Sequence, residues 1–449
     1  MSAAFADTLA DLVGSAYCFA GADRGPFVVE GRTPCAVVFP GTIEETSRVV
    51  RAAAAAGVPI IPWGGGTQMA LGAPPRDGAL VVVTRRLARL VEHEPGDLTA
   101  TVEAGVTMDA LQAALGARGQ WVSLDPPFPA RATVGGVLAT NASGPRRHLY
   151  GTARDVAIGI RVVGADGALI RGGGKVVKNV AGYDLVKLYI GSLGTLGLIV
   201  EVTLKLRPRP EADRACWALF PGLAPAAAAV AAVLGSDLLP HSVELLDEEA
   251  TAACAAATDV QGVPGAAGLL LGFDGLPTTV AWQLGEAARL LGAAGAIRVV
   301  PLDPALGPRL LAFAREIHAA VPEPLAVAKV ALVPTRVGPY AADCAAAARA
   351  AGLRLLTAAH AGAGVATLVL TPGDGVPPGT ATTAKTLAGL RERARALGGQ
   401  LVVEWAPLAV KEEVAVWDEP GAAIRLMAGI KAQLDPQGIM NPGRFVGGL

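Results

Sequence analysis

The chain has few of the residues that build metal clusters or polybasic surfaces. Its 449 residues include only 5 cysteines and 5 histidines, and no two cysteines form a C-x-x-C pair. The cysteines are therefore expected to be reduced and buried, and this chain cannot by itself hold a compact four-cysteine iron–sulfur cluster. Charged residues make up 17% of the chain, are scattered along it and sum to a net charge of −1, so no nucleic-acid partner is expected. These absences favour chemistry on a small molecule.

Long apolar runs are also missing, although 52% of the residues are hydrophobic. Alanine-rich stretches inflate that fraction, and Pro, Gly or charged residues interrupt every run before the roughly 18 to 20 residues that cross a bilayer. The N-terminal stretch carries Asp7 and Asp11 and has no basic segment, which indicates an amphipathic helix rather than a signal peptide. We therefore expect no membrane span and a cytoplasmic location.

The pattern of strands and helices predicts an α+β protein with at least two domains, as expected from a length prior of about 100 to 200 residues per domain. Residues 35–210 contain short strands, a helix that begins at a Thr42/Glu45 capping box, and a hairpin turning at Ala165-Asp166-Gly167. After Pro210, strands alternate with alanine-rich helices, which predicts a sheet covered by helices. Residues 371–384 are expected to form a mobile surface loop.

Three glycine-rich clusters carry the strongest functional signal. The first, PWGGGTQMALG at residues 62–72, follows a predicted strand, and its glycines allow backbone N–H groups to surround a pyrophosphate. It matches neither a Walker A loop nor G-x-G-x-x-G, so a plain glycine turn is an alternative for this loop alone. The second, within residues 124–155, mixes small residues with hydroxyl and amide groups, which suits a planar ring and polar substituents. The third, residues 172–202, ends in glycines before a strand.

Together these clusters resemble the FAD-binding domain of the vanillyl-alcohol oxidase/p-cresol methylhydroxylase (PCMH) superfamily. The motif VVKNVAGYD with the closing NPGRF is most similar to the smaller flavin subunit of bacterial glycolate oxidases. The resemblance is strong over residues 35–210 and the C-terminal motif, and weak over 240–335. It implies a PCMH-type FAD-binding domain of two subdomains, followed by an α+β FAD-linked oxidase C-terminal (cap) domain. The implied organisation is an N-terminal helical extension at 1–34, the FAD-binding domain at 35–210, the cap domain at 211–405, and a segment at 406–449 that returns to the FAD-binding domain.

The resemblance also implies which residues contact FAD. The first loop would surround the pyrophosphate, the second cluster would lie along the phosphates and the isoalloxazine, and the strand after the third would supply backbone contacts. The implied cofactor-binding residues are Trp63, Gly64, Gly65, Gly66, Thr67, Gln68, Asp125, Pro126, Thr133, Gly136, Thr140, Ser143 and Ile199. Relatives with covalent flavin often carry a histidine in the first loop, and this chain has none there. The FAD is therefore expected to be non-covalent.

The stretch TAAHAGAGVATLVL at 357–370 is expected to be a loop that leads into a strand. Some relatives bind a metal through H-x-G-D-G-N-x-H, and this chain keeps His360 but has Ala363, Val365 and Thr367 at the positions of the Asp, the Asn and the second His. A divalent ion needs three or four protein ligands, so no metal site is expected. For His360 a structural role is favoured over a hydrogen bond to the substrate.

The other catalytic candidates are weak. Lys329 and Arg315 could bind a substrate carboxylate, and Arg444 and Glu404 are comparable guesses, but ordinary solvated charges explain these residues more simply. The remaining histidines have no partner nearby in the sequence and are expected to be ordinary surface or core residues: His93, His148, His241 and His318.

The leading functional hypothesis is an FAD-binding oxidoreductase subunit of a glycolate-oxidase-like complex. It would oxidise glycolate or a lactate-like 2-hydroxy acid to the 2-oxo acid by hydride transfer to FAD, and would pass electrons to an iron–sulfur partner. The resemblance also implies a second FAD subunit and a peripheral membrane association through these partners. Two alternatives stay open: a self-sufficient FAD-dependent 2-hydroxyacid dehydrogenase, and a non-catalytic FAD-binding scaffold or electron-transfer subunit.

Overall fold

The computed structural model describes residues 3–175, 183–373 and 379–449. The chain forms two compact units: unit 1 comprises Met1–Ser143, Thr152–Arg209 and Glu419–Leu449, and unit 2 comprises Gly144–Gly151 and Pro210–Asp418. The N-terminal helix is part of unit 1, and the last boundary falls after Asp418 instead of after residue 405. Two segments singled out from the sequence lie partly outside the described residues: the VVKNVAGYD motif, at 176–182, and the loop predicted at 371–384, at 374–378.

The secondary structure mixes helices and strands throughout. The helices are α1 (Ala3–Val13), α2 (Ile43–Ala56), α3 (Met108–Gly116), α4 (Val134–Thr140), α5 (Arg147–Tyr150), α6 (Ala153–Val156), α7 (Leu185–Tyr189), α8 (Leu223–Leu234), α9 (Glu248–Thr258), α10 (Pro277–Ala293), α11 (Leu306–Arg315), α12 (Pro334–Ala350), α13 (Thr380–Ala396), α14 (Leu408–Glu413) and α15 (Ile424–Leu434). None of the helices in the described ranges is long and apolar enough to cross a membrane.

The strands are β1 (Cys18–Phe19), β2 (Ala36–Val38), β3 (Ile60–Trp63), β4 (Leu80–Val83), β5 (Leu90–Glu94), β6 (Thr99–Glu103), β7 (Gln120–Trp121), β8 (Ala157–Val163), β9 (Leu169–Gly173), β10 (Leu198–Lys205), β11 (Arg207–Pro208), β12 (Ala212–Phe220), β13 (Ser242–Leu246), β14 (Ala267–Gly275), β15 (Arg298–Pro301), β16 (Ala326–Ala331), β17 (Leu353–His360), β18 (Val365–Pro372) and β19 (Gln400–Trp405).

The first sheet of unit 1 has the order β1-β2-β4-β3, and its last three strands are parallel. The crossover between β2 and β3 is α2, and Thr42 is its N-cap as predicted, but the reciprocal bond of a capping box is replaced by one to the preceding residue, Gly41. The Thr42 side chain accepts a hydrogen bond from the Glu45 backbone N–H at 3.0 Å, and the Glu45 carboxylate accepts one from the Gly41 N–H at 2.7 Å. These bonds satisfy N–H groups that the helix itself leaves without acceptors.

The second sheet of unit 1 is antiparallel, with the order β5-β6-β10-β8-β9. The predicted hairpin is confirmed as β8 and β9, with Gly167 at φ 75° in the turn. The C-terminal segment returns to the first sheet, because the Ile60 N–H donates to Ile439 and the Asn441 N–H donates back to the Ile60 carbonyl. This exchange extends the first sheet beside β3, at the strand that leads into the first glycine cluster.

Unit 2 is built on an antiparallel sheet with the order β15-β12-β14-β13-β17-β18-β16-β19. Side chains of a strand alternate between the two faces, so each face has its own core. Val243 and Leu245 pack with α8, α10, α12 and α13 on one face. Leu246 and Ala358 pack with α9 and α11 on the other face. The expected arrangement of a sheet covered by helices is therefore confirmed.

The expectation that the stretch 357–370 begins as a loop is wrong for its first four residues. Thr357 to His360 form the end of β17, a tight turn covers Ala361–Ala363, and Gly364 at φ 71° leads into β18. The strand was missed because alanine and glycine have low strand propensity, and here cross-strand pairing decides the conformation. Ala358 pairs with Thr367 in this hairpin.

The segment Gly144–Gly151 is held in unit 2 by a network of largely buried charges. The Arg146 guanidinium donates to Asp213 and, at 2.9 Å, to Asp274. The Tyr150 hydroxyl donates to the other oxygen of Asp274 at 2.7 Å, and Nε2 of the fully buried His241 lies 3.2 Å from Asp213. Burial alone would raise the pKa of Asp213, but the hydrogen bond from His241 and the charge of Arg146 outweigh it and lower the pKa to about 2.

Replacing Arg146 tests this network. Arg146→Met is expected to lower the free energy of unfolding at pH 7 by about 1.5–3 kcal/mol, since it removes charged hydrogen bonds to the buried Asp274 and to Asp213, whose side chain is 39% exposed. Urea unfolding of the full chain measures the change. The exposed Arg349→Met is the control and should change the unfolding free energy by less than about 0.5 kcal/mol.

The pH dependence separates lost charge pairing from lost packing. Because the pKa of Asp213 is lowered in the folded protein, its contribution to stability is complete above the unfolded-state pKa of about 3.9 and is lost as the pH falls towards 2. The difference between wild type and Arg146→Met should therefore shrink as the pH is lowered from 5 to 3. A difference that stays constant over this range would contradict the electrostatic explanation.

Candidate functional site

A cavity in unit 1 brings together most of the residues assigned to the cofactor. Asp125 and Ser143 lie outside its lining. The assigned residues that line it are Trp63, Gly64, Gly65, Gly66, Thr67, Gln68, Pro126, Thr133, Gly136, Thr140 and Ile199. Leu193, Gly194 and Gly197 of the third glycine cluster and Asn441 and Arg444 of the C-terminal motif also line it. All three glycine clusters therefore contribute to one cavity.

Close backbone contacts explain why glycine is required in this cavity. A Cβ at Gly65 would overlap the Arg131 carbonyl group. Gly194 has φ 71°, and a Cβ there would lie 2.7 Å from the Pro62 ring. The N–H groups of Gly64, Gly65 and Gly66 have no backbone acceptor among the residues that the structure describes. Three neighbouring donors of this kind can bind anionic oxygen atoms without a basic side chain.

Arg444 fixes the first glycine cluster from the C-terminal side. Its guanidinium donates to the carbonyl oxygens of Ala73 at 2.7 Å, Met69 at 2.5 Å and Leu71 at 2.8 Å. The residue is 3% exposed, and burial lowers its pKa to about 10, so it stays charged at neutral pH. Arg444, a comparable guess for a substrate cation, instead holds the loop that follows the glycines. The sequence feature that pointed to Arg444 was the NPGRF motif.

Asn441 and Lys431 connect the same C-terminal segment to the third glycine cluster. The Asn441 side-chain amide donates to the Leu193 carbonyl at 2.6 Å, and Lys431 donates to the carbonyls of Thr195 and Met440, each at 2.7 Å. Asp435 accepts from Lys431 at 2.6 Å. The Asn441 Oδ1 atom is buried at the cavity and has no hydrogen-bond partner in the described part of the chain.

These features fit the parts of FAD. Free backbone N–H groups suit its pyrophosphate, the small residues leave room for a flat ring, and the buried Asn441 Oδ1 offers an acceptor to an N–H or O–H group. The sequence missed Asn441, because an asparagine before Pro-Gly is equally common in ordinary turns.

Unit 2 carries a second group of functional side chains on one face of its sheet. Beyond the apolar residues that contact α9 and α11, the strands continue with polar residues on the same face, as their register shows. We name this group the polar row; it consists of Asp213, Asp274, Glu244, His360, Lys329 and Glu404. It includes two of the three catalytic candidates, His360 and Lys329.

The central pair of the polar row is His360 and Glu244. They face each other across β13 and β17, and His360 Nδ1 lies 2.6 Å from Glu244 Oε2. Glu244 is fully buried and His360 is 8% exposed. A buried carboxyl group at this distance orients the imidazole ring and engages its Nδ1 atom. Neither the partner nor the distance could be foreseen from the sequence.

The two cationic candidates already have acidic partners. Lys329 forms an ion pair with Glu404, and Arg315, the last residue of α11, pairs with Glu316 at 2.6 Å. Burial lowers the pKa of His318, Glu404 opposes this effect and Lys329 adds to it. Lys329 thus lies in the polar row beside a second histidine, whereas Arg315 is engaged with its chain neighbour.

Asp213, His241 and Asp274 offer three ligand atoms close enough to hold a metal ion. The Arg146 guanidinium binds both carboxylates, however, and so takes the position of a cation between them. A divalent ion would have to displace this buried arginine. We therefore assign the cluster to the charge network that holds Gly144–Gly151 in unit 2.

Removing the Arg444 guanidinium tests its hold on the first glycine cluster. Arg444→Met is expected to raise the dissociation constant of FAD at least about tenfold, equal to about 1.4 kcal/mol, because the loop at 69–73 loses three hydrogen bonds to a charged group. Flavin fluorescence quenching on titration of the FAD-free protein measures it. Arg425→Met, an exposed arginine on α15, is the matched control. Equal FAD affinity in both variants would contradict this role.

Comparison with known proteins identifies the family. Residues 34–173 match the model of an FAD binding domain, and residues 209–445 match the C-terminal domain of FAD linked oxidases. Glycolate oxidase subunit GlcD of Bacillus subtilis (strain 168) is 31% identical, over 92% of this chain and 89% of the relative. D-lactate dehydrogenase of Archaeoglobus fulgidus is 31% identical, over 91% of each chain.

The fold agrees with these matches. The structure of p-cresol methylhydroxylase covers 98% of this chain and 96% of its own, with a TM-score of 0.78 at 17% identity. The fold class and the resemblance inferred from the glycine clusters are thereby confirmed, as is FAD as the cofactor. The chain belongs to the FAD-linked oxidases, flavin-dependent oxidoreductases that join a PCMH-type FAD-binding domain to the C-terminal domain of this family.

Proposed function

We propose that this protein oxidises a small 2-hydroxy acid, such as glycolate or a lactate-like acid, to the 2-oxo acid. The observation that carries the proposal is the polar row, where a histidine oriented by a buried carboxylate lies on the same sheet face as a lysine. This oxidation needs a cation for the carboxylate, an acceptor for the hydroxyl proton and an acceptor for hydride. Two relatives have names that refer to acids of this class, glycolate and D-lactate.

FAD, when bound, supplies the hydride acceptor. We propose that the first glycine cluster and the second cluster hold it, with Asn441 as an additional contact. The cavity lining contains no histidine, cysteine or tyrosine among the described residues, which supports a non-covalent flavin. Denaturing the protein should therefore release all of the flavin into solution.

Lys329 is the cation that we assign to the substrate carboxylate. It pairs across the sheet with Thr367, and Thr367 lies beside the strand that ends at His360. The residue opposite Thr367 on that strand is Ala358, so His360 lies two spacings across from Lys329 and two residues further along. This places the two backbones roughly 12 Å apart, with both side chains on the same face of the sheet. Glu404 competes with the substrate for the lysine.

An iron–sulfur partner is the electron acceptor in this proposal. Cys216, Cys254 and Cys344 are buried, and burial raises the pKa of Cys216 and Cys344 to about 12, which keeps these thiols protonated. Cluster binding needs several thiolates close together, so we infer that the cluster ligands lie outside these 449 residues. The relative GlcD is named as a subunit, which agrees with a complex.

A self-sufficient 2-hydroxyacid dehydrogenase is the second candidate. It is favoured by the match to D-lactate dehydrogenase, which extends over 91% of both chains. The two candidates differ in whether the purified chain alone reduces its flavin.

Anaerobic flavin bleaching tests both candidates. The purified chain, with FAD bound, is mixed with glycolate, D-lactate or L-lactate while the visible absorbance of the flavin is recorded. Bleaching by the isolated chain would identify the self-sufficient enzyme, and bleaching that requires the co-purified partner subunits would identify the complex. Bound flavin that no 2-hydroxy acid bleaches in either form would contradict the proposed function and would favour the FAD-binding scaffold.

A pair of variants with opposite effects tests Lys329. Lys329→Met should raise KM for the acid about 10- to 100-fold, the loss expected for a charged hydrogen bond of about 1.5–3 kcal/mol. Glu404→Gln should lower KM several-fold, since it frees the lysine from its competitor. The exposed Lys385→Met serves as the control. If Lys329→Met and Lys385→Met have the same KM, Lys329 does not bind the substrate.

A further inference from the structure

We propose that His360, oriented by Glu244, accepts the proton of the substrate hydroxyl without help from a metal ion. This inference rests on the proposed 2-hydroxy acid oxidation. It assigns a specific role to one side chain of the polar row, and it replaces the structural role that the sequence favoured.

The contact with Glu244 determines which nitrogen of His360 is available. The 2.6 Å contact with Glu244 Oε2 engages Nδ1, and in the proposed step Glu244 accepts a hydrogen bond from Nδ1–H. Neutral His360 therefore has its lone pair on Nε2. This arrangement has the geometry of a general base with its orienting group.

The position of the pair argues against a purely structural role. A buried carboxylate is costly, and an apolar pair of similar volume is often as stable or more stable at such a site. The cross-strand position of Glu244 lies among residues that are otherwise suited to an apolar contact, since Leu246 and Ala358 fill the next paired positions on the same face. His360 ends its strand and retains some exposure, whereas His241 is completely buried.

The residues near His360 do not fit a metal ion. Ala363, Val365 and Thr367 stand where some relatives have the other groups of the metal-binding motif. Within the described ranges, the group of three possible ligands is Asp213, His241 and Asp274, which excludes His360 and already holds Arg146. The charged group that acts on the His360 ring is thus the Glu244 carboxylate, at Nδ1.

The proposed step balances in protons and electrons. The substrate O–H bond breaks and its proton moves to His360 Nε2. The bond between the substrate carbon and its hydrogen breaks with both electrons, which leave as hydride to the oxidised flavin, and a carbonyl group forms. The hydroxy acid is oxidised by two electrons, the flavin is reduced, and the imidazolium later returns its proton to water.

The experiment compares His360→Asn, His360→Ala and Glu244→Gln, measuring the rate of flavin bleaching in whichever assembly bleaches in the wild type. In His360→Asn, the side-chain amide nitrogen replaces the Nδ1 donor towards Glu244 but provides no base. This variant is expected to bleach about 10²- to 10⁴-fold more slowly, the usual contribution of a general base. The bleaching rate of Glu244→Gln should fall less, since Nε2 remains in place.

Chemical rescue provides the readout that a structural role would not affect. Added imidazole should restore part of the rate in His360→Ala, in proportion to its free-base concentration, and should not restore Glu244→Gln. The binding of oxalate, followed by the change in flavin absorbance, should be nearly unchanged in His360→Asn, which would show that the site is intact. His93→Gln, which removes a histidine of unit 1, is the control and should bleach at the wild-type rate.

Any one of three results would overturn the inference. The first is a His360→Asn variant that binds oxalate normally and bleaches like the wild type. The second is a rate of His360→Ala that imidazole leaves unchanged, and the third is wild-type bleaching that EDTA abolishes and Zn²⁺ restores. A wild-type protein that binds FAD but is bleached by no 2-hydroxy acid would instead contradict the proposed function as a whole, and the two failures are therefore distinguishable.

Discussion

The cofactor cavity depends on the hydrogen bonds that the Arg444 guanidinium donates to backbone carbonyls of the first glycine cluster and the residue that follows it. A loop of consecutive glycines has little intrinsic preference for one conformation, and ordering it is costly in entropy. Three carbonyl oxygens at Met69, Leu71 and Ala73 accept from one buried guanidinium, which fixes the exit of the loop. The same C-terminal segment holds the third cluster through Asn441 and Lys431. A few buried polar groups thus set the distance between loops that are remote in sequence.

Unit 2 uses buried charge in two different ways. Around Arg146 two carboxylates accept from one guanidinium, and a tyrosine hydroxyl and a histidine contact those carboxylates in turn, so each carboxylate has a cationic partner and the network suits a structural role. At Glu244 and His360 only one ring nitrogen is engaged by the carboxylate. The Arg146 network and the Glu244–His360 pair lie on the same face of the sheet. The same alternation of side chains along the strands therefore positions a structural network and the proposed catalytic histidine.

The sequence was sufficient to predict those features of the protein that depend only on consecutive residues. The glycine clusters, the helix N-cap at Thr42 and the hairpin at Gly167 are local patterns, and their physical meaning does not depend on distant residues. The contacts that make the polar row are different. Glu244 and His360 are 116 positions apart, and the pairing depends on the order of strands in the sheet. The NPGRF motif pointed to Arg444, but its three carbonyl partners could not be foreseen, because an arginine is usually exposed.

The position of Asn441 and Arg444 in the cavity lining has a consequence for how the FAD-bound protein is assembled. Arg444 lies 371 positions after Ala73, which it holds. At about 5–20 residues per second, a ribosome needs roughly 20–75 s to pass from one to the other. During that interval the first glycine cluster is already synthesised but lacks the C-terminal residues that close and order it. The complete cavity is therefore available to the flavin only after the C-terminal segment has been made.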